Sequence, residues 1–349
     1  MVPKPPLLPF TAVWKTLLGE FVVPPLVADG RRVYVATRDG IVRALDPATG
    51  VVVWKAEGVS GRLSAVDGVL LALAEDGTLR SLQPRTGAVR WKADTGVAST
   101  LPAVVAGEQA FVAGRGLAAV DLASGRVIWA DPSGTETTTP PVAAGSRLLA
   151  GEKDGTLRCR DRASGLSLWV LRTGGPLLAP PLVDEARRRL YLGTTDKRIL
   201  EVSLDEGKAG WAWRVGGSIA NPGLLLPRFV LFASHDAVLY SLHRGGNLAW
   251  RGALPARPLS APLPIGGYIL IACLENELVA LAPDTGARAG SVRTSAEIRT
   301  PPILAGGLVV VGLRDRSVIA YAPAGSSLAP SPEPAAEPPA PPDASPPRP

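Results

Sequence analysis

The feature that most constrains this chain is a recurring unit: a tight turn closed by glycine, followed by a strand that carries one tryptophan. Its clearest copy runs Asp46-Pro47-Ala48-Thr49-Gly50 and then Val51-Val52-Val53-Trp54. Glycine at the close of the turn supplies the positive φ that such a reversal needs. Equivalent turns begin at Gln83, Asp121, Asp161, Ser203, His243 and Ala282, spaced 37 to 42 residues apart. The glycines recur as Gly87, Gly125, Gly165, Gly207, a displaced Gly246 and Gly286. The tryptophans recur as Trp91, Trp129, Trp169, Trp211 and a displaced Trp250, and the seventh unit holds Gly290 instead. Turn, glycine and tryptophan in step at a period near 40 residues mark a repeat architecture.

Each unit also contains four short strand-like runs. In the first, Phe21 to Ala28 is strand A, Arg32 to Thr37 is B, Ile41 to Asp46 is C and Val51 to Glu57 is D. Between B and C stands Arg38-Asp39-Gly40, a hairpin signal. Glu75-Asp76-Gly77 and Lys153-Asp154-Gly155 repeat it, with looser copies at Thr195-Asp196-Lys197 and Arg314-Asp315-Arg316. Four antiparallel strands in about 40 residues is the pattern of a propeller blade. A strands are predicted to begin near residues 21, 62, 99, 138, 178, 219, 260 and 299. The last unit has A (Pro301 to Leu304), B (Leu308 to Gly312) and C (Ser317 to Tyr321), but no D. An orphan run, Ala12-Val13-Trp14-Lys15-Thr16, precedes the first A strand and reads as the missing D. The sequence therefore predicts an all-β fold: an eight-bladed β-propeller of four-stranded antiparallel blades over residues 12–321, closed by the N-terminal strand. Closure of this kind ties down both ends of the ring.

Prolines fall on strand A: Pro24-Pro25, Pro102, Pro140-Pro141, Pro180-Pro181, Pro222, Pro262 and Pro301-Pro302. The innermost strand of a blade has one edge without a ladder partner, where proline is tolerated. Lys55, Arg90, Lys92 and Arg214 fall on the outer strand D, where charge blocks edge-to-edge pairing. Residues 1–11 read as an N-terminal arm. Residues 322–349, rich in proline and alanine and without apolar periodicity, are expected to be disordered, an inert tail, a spacer or a docking ligand.

The formal net charge is +6, and Glu333, Glu337, Asp343 and Arg348 leave the tail at −2, so the ring carries about +8. Its cations are scattered, with Arg187-Arg188-Arg189 the one run. This reads as solvated surface, with no nucleic-acid partner. No apolar run approaches the ~18 residues of a membrane span. Met1 to Pro6 shows no charged region leading into an apolar core, so no export signal or lipid-acceptor cysteine is expected in the sequence as written. Cys159 and Cys273 sit far apart in apolar segments and read as buried, inert thiols.

The Asp-x-x-Thr-Gly-x-x-x-Trp unit, with Ala44, Ala119 or Cys159 two residues before the aspartate, resembles the repeat of pyrroloquinoline-quinone-type (PQQ-like) propellers. The resemblance covers residues 12–321. It implies that each tryptophan docks on the neighbouring blade. Gln83, Ser203, His243 and Ala282 depart from the aspartate, and Gly290 departs from the tryptophan, which makes the junction of the seventh and eighth blades the expected loose point. WD40 units differ, since no tryptophan here is followed by aspartate. Within the family, quinoprotein dehydrogenases hold the quinone with a calcium ion and carry adjacent cysteines. The BamB-like propellers of outer-membrane protein assembly are non-enzymatic eight-bladed rings with short loops. Blade count and compact loops resemble the second class. The resemblance thus implies a monomeric interaction scaffold of the periplasm or cell envelope, with an outer-membrane assembly component as its protein partner and no cofactor. A PQQ- and calcium-dependent oxidoreductase is the runner-up. A sensory or ligand-binding propeller of a regulatory system is the third reading, and a cytoplasmic location the alternative.

Chemistry sought independently is sparse. His235 and His243 fall in turns and read as surface residues. No phosphate loop, nucleophile elbow or His-Glu-x-x-His occurs. Trp213, on the same strand face as Trp211, reads as packing. Propeller topology puts the D–A and B–C connections on one face, around the channel mouth. The polar residues there include Glu20, Arg62, Thr100, Glu136, Thr138, Asn221, Arg257, Glu297 and Arg299. Partner binding is expected on that face, which otherwise reads as solvated loops.

Overall fold

The computed structural model describes residues 10–59 and 61–324, and of residues 132–134 only the backbone. Most of the N-terminal arm and nearly all of the proline-rich tail lie outside the described residues. The described strands form eight antiparallel blades in which the chain runs outward from strand A to strand D. The first comprises Val22–Ala28, Val33–Thr37, Val42–Leu45 and Val52–Ala56, within a residue or so of expectation. The last joins Ile303–Ala305, Leu308–Gly312 and Ser317–Ala322 to the N-terminal strand Thr11–Leu17. Thr11 pairs with Ala322 and Leu17 with Ser317, so the two ends of the ring close on each other.

The inward strands depart from the sequence reading. From the third blade on, A strands start three to five residues later than predicted, at Val104, Val142, Leu182, Leu224, Leu263 and Ile303, and are two or three residues long. Each follows its proline closely. Loss of the N–H and a fixed φ keep those residues from pairing with strand B. Strand Arg62–Val66 has no proline and pairs over all five residues. In the first blade the register slips between Val23 and Val27, where Pro24-Pro25 stand.

The third blade turns differently. Gln109–Asp121 is one continuous run of 13 residues, which if straight would span about 40 Å. Leu122 N–H nevertheless donates to Glu108 O at 3.0 Å, so the run folds back on itself and supplies both B and C. The reversal falls at Gly114-Arg115-Gly116. A side chain at Gly114 would meet Ala98 O at 2.2 Å.

The core is a ring of eight separate clusters, each shared by two adjacent blades. One joins Tyr34, Ala36 and Val42 of the first blade to Leu63, Leu70 and Leu82 of the second. Another joins Leu149, Leu157 and Cys159 to Leu190, Leu192 and Val202. Along strands B and C nearly every residue is buried on both faces, because a blade is sandwiched between neighbours. Strand D alternates instead, exposed against half-buried.

Tryptophan links the blades. Trp14, Trp54, Trp91, Trp129, Trp169, Trp211 and Trp250 each donate the indole N–H to a carbonyl of the next blade's C–D turn, at 2.8 to 3.1 Å. Each ring also packs on that turn's glycine, from Gly50 to Gly286. The junction of the seventh and eighth blades has no such pair. The eighth blade has no C–D turn, since its D strand is the N-terminal strand. Phe10 instead packs there among Leu270, Ala280 and Ile298, with its ring 6.5 Å from that of Tyr321.

Candidate interaction face

The D–A and B–C connections form one face, and backbone hydrogen bonds knit them together. Arg38 N–H donates to Phe21 O at 3.0 Å, Val59 to Gly40 at 2.9 Å, and Thr137 to Gly114 at 2.8 Å. Lys153 donates to Glu136 at 2.9 Å and Arg314 to Glu297 at 2.8 Å. Side chains brace the turns: Arg43 pairs with Asp39, Arg158 with Glu152 and Arg198 with Asp196. These short, cross-braced loops present a fixed surface rather than a mobile one.

The residues selected from sequence do different things on it. Arg62, Thr138 and Asn221 are half-buried and tie adjacent blades together around the channel. Arg62 donates to Pro24 O at 2.8 Å and Asn221 to Pro258 O at 3.3 Å. The Thr138 hydroxyl donates to Leu177 O. These side chains satisfy carbonyls of the neighbouring blade, Pro24 inside the first A strand and Leu177 and Pro258 just before the A strands of the fifth and seventh blades, and Arg62 does so as the first residue of a strand. Glu136 is bound to Lys153 at 2.8 Å, and that hydrogen bond holds its carboxyl below the usual range. Glu20 accepts from Phe21 N–H at 2.7 Å. Thr100, Arg257 and Arg299 remain exposed.

The structure also gathers residues that sequence reasoning passed over. Phe21 has two guanidiniums over its ring, Arg316 at 4.8 Å and Arg38 at 5.5 Å from its centroid. Arg299 and Arg314 stand beside it around a hollow of about 120 Å³, and Glu297 holds both, Arg314 at 2.7 Å and Arg299 at 3.4 Å. Arginine stacked on an aromatic ring is a recurrent recognition element. The signal available in the sequence was the arginines of two B–C turns, Arg38 and Arg314 with Arg316. A second exposed guanidinium, Arg257, sits near His235. Burial foremost, and then that positive charge, lower the imidazole's pKa, and its Nδ1 is 2.9 Å from Ser218 Oγ.

The donor set does not fit a quinone held over calcium. Among the described residues, no three His, Cys, Asp or Glu side chains converge on one point, whereas a hard cation takes six or more oxygens. Cys159 and Cys273 are buried in the fourth and seventh blades, in separate clusters.

Comparison with known proteins adds the family. A family model described as outer membrane protein assembly factor BamB matches residues 11–113, 113–243 and 234–328. Two curated relatives carry that same name. The protein from Legionella pneumophila (strain Paris) is 26% identical over 170 residues, 46% of this chain and 44% of the relative. The protein from Nitrosomonas eutropha is 25% identical over 169 residues, 46% of this chain and 39% of the relative. The matched stretch thus spans less than half the length of these relatives. Among solved structures, BamB from Moraxella catarrhalis superposes with a TM-score of 0.75 at 21% identity, covering 90% of this chain and 99% of that one. The computationally designed Ika8 protein gives 0.75 at 14% identity, over 88% and 97%. Quinohemoprotein alcohol dehydrogenase from Comamonas testosteroni gives 0.69 at 14%, over 89% of this chain and 76% of that one. At such identities these likenesses speak to the fold alone.

Proposed function

The chain belongs to the BamB family of PQQ-like propellers, and from that membership we propose that it is a monomeric, non-enzymatic interaction scaffold of the cell envelope, assisting outer-membrane protein assembly. The observation that carries this reading is the family match, which runs along the whole ring from residue 11 to residue 328. The division of labour among the residues supports it. The repeated tryptophans and glycines fasten blades, three of the polar connection residues hold the inner strands, and exposed cations are left on a rigid loop face. A rigid face with arginine beside an aromatic suits a protein partner, because little ordering entropy opposes binding. In this reading Thr100, Arg257 and Arg299 touch the partner, with Phe21, Arg38 and Arg314 beside them. Arg62, Thr138 and Asn221 position the surface.

Capture of the full chain by purified barrel-assembly components tests the proposal. Thr100→Ala/Arg257→Ala/Arg299→Ala is expected to melt like the unmodified protein and to weaken capture by about tenfold or more. Arg62 is left alone, since its loss would unfasten two blades. Arg126→Ala, on the opposite face, serves as control. Unchanged capture by the triple variant overturns this choice of face. If no assembly component captures the unmodified protein, the functional reading itself is wrong.

A further inference from the structure

On the face opposite the D–A connections, the first and second blades enclose a cleft of about 930 Å³. Asp29, Arg31 and Arg32 of an A–B turn form one wall, and Gln83, Arg85 and Arg90 of the second blade form the other. Four guanidiniums thus face one carboxylate. Asp29 is already engaged, accepting from Tyr34 OH at 2.7 Å and from the backbone N–H groups of Arg31 and Arg32 at 3.0 Å. Arg32 leans toward Asp46 at 3.7 Å. Arg31, Arg85 and Arg90 are exposed and make no ion pair among the described residues. The turn that holds Asp46, Asp121 or Asp161 in other blades holds Gln83 here, which withdraws a negative charge from this wall.

The corresponding place between the fifth and sixth blades shows what a filled junction looks like. There Arg187 and Arg244 both pair with buried Asp184, and Arg188 pairs with Asp205. Those arginines, the sequence's one cationic run among them, are neutralised within the ring. In the first cleft only Arg32 has a carboxylate partner, Asp46, and Arg31, Arg85 and Arg90 are left to call for an anionic occupant.

We propose that this cleft binds the chain's own C-terminal tail through Glu333, Glu337 and Asp343. Three observations converge. Strand C of each blade runs toward the C–D turns, so the chain leaves Ser317–Ala322 on the face that holds the cleft. The tail carries those three carboxylates against one cation, Arg348, which complements the excess of guanidiniums. The reach is sufficient. Glu333 lies nine residues beyond Ala324, about 28 Å at the ~3.1 Å per residue of an extended proline-rich chain. The cleft lies one and a half blades from the eighth, about 15 Å at the ~10 Å spacing of packed sheets. Tethering gives an effective concentration in the millimolar range, so a few exposed charge contacts suffice. A more acidic ligand of this face would have to displace the tail.

The test uses the full chain with nitroxide labels at Ala88→Cys, exposed in the chain between the cleft residues Arg85 and Arg90, and Ser345→Cys, in the tail; the buried native thiols are not expected to label. Double electron–electron resonance at low ionic strength is expected to show a distinct short-distance population. Glu333→Gln/Glu337→Gln/Asp343→Asn, which alters nothing in the ring, is expected to abolish it, as is Arg31→Glu/Arg85→Glu/Arg90→Glu. Salt at about 1 M, where the screening length falls to about 3 Å, is expected to do the same. A broad distribution in the unmodified tail, or a short population that survives neutralising its three carboxylates, overturns the proposal.

Discussion

The ring of Trp54 lies so close to Gly87 that a methyl group built on that glycine would stand 2.6 Å from its Cε3. The same indole donates its N–H to Pro84 O at 2.9 Å. One side chain thus takes both its packing and its hydrogen bond from the neighbouring blade's C–D turn. Gly87 answers two separate demands: its φ of +77° and a surface flat enough to receive the indole.

Gly87→Ala should therefore cost more than its backbone conformation alone requires. An L side chain in the left-handed region costs about 1 kcal/mol, and forcing a methyl into a packed contact adds about 1–3 kcal/mol. Gly96 has φ +68° and nothing within 4 Å of a built Cβ, so Gly96→Ala isolates the first contribution. Urea unfolding is expected to place Gly87→Ala below Gly96→Ala by about 1–3 kcal/mol. Equal losses would mean that the tryptophan simply moves aside.

The same unit explains why the fold was legible and the site was not. Glycine and tryptophan act through a contact repeated around the ring, so their period exposes the blade count, and Trp14 exposes the closing strand. The turn of the third blade escaped because Gly114-Arg115-Gly116 carries no Asp-Gly signal and answers to a contact with Ala98, outside the hairpin. Phe10 escaped because its partners, Leu270 and Tyr321, are more than 250 residues away. On the loop face, polarity was visible but engagement was not. Nothing local to Arg62 or Asn221 says that Pro24 and Pro258 offer them carbonyls. The arginine cleft joins residues 31 and 85 across a blade junction, and only the closed ring brings them together.

The turn carboxylates should make the ring acid-labile. Ser124 and Ser164 hydrogen bonds lower the pKa of Asp121 and Asp161. At Asp46 slight burial opposes the shift, but donors from Thr49 and Ala48 outweigh it. A carboxyl with a lowered folded pKa contributes stability above its unfolded value near 3.9 and loses it as pH falls through the folded value. The melting temperature is expected to hold from pH 7 to about 4 and then to drop. Asp161→Asn keeps an acceptor for Ser164 without taking up a proton. Its melting temperature should fall less between pH 4 and pH 2.5 than that of the unmodified protein. An equal fall would put the acid lability elsewhere.

Both thiols should be silent in the folded ring. Burial pushes Cys159 up to about 11 and Cys273 up to about 12, and the thiolate is the reactive form. A disulfide reagent at pH 8 is expected to titrate neither in native protein and both in denaturant. Reaction of one thiol without denaturant would report local opening of its blade, the fourth or the seventh.

The seam of the ring should open before the rest. The strand Thr11–Leu17 is held on one edge by Ser317–Ala322 and, among the described residues, has no strand on the other. Beyond that ladder its side-chain anchors are Trp14 and Thr16 on the first blade, the latter donating to Gly50 O at 2.6 Å, Lys15 on Asp315 at 2.7 Å and on Ser295 at 3.0 Å, and Phe10 in the seventh–eighth cluster. Phe10 is 6% exposed, and truncating a buried phenylalanine costs about 3–5 kcal/mol. Phe10 stands where the other junctions have a tryptophan on a turn, so its loss leaves this junction to the rest of its apolar cluster and the Lys15–Ser295 hydrogen bond at 3.0 Å. Phe10→Ala is expected to speed amide exchange in Thr11–Leu17 and Ser317–Ala322 by orders of magnitude. An internal outer strand such as Ser167–Arg172 keeps its covalent turn and its tryptophan, and should exchange as before. A uniform rise across all blades would instead mean that the ring opens only as a whole, with closure shared among all eight junctions.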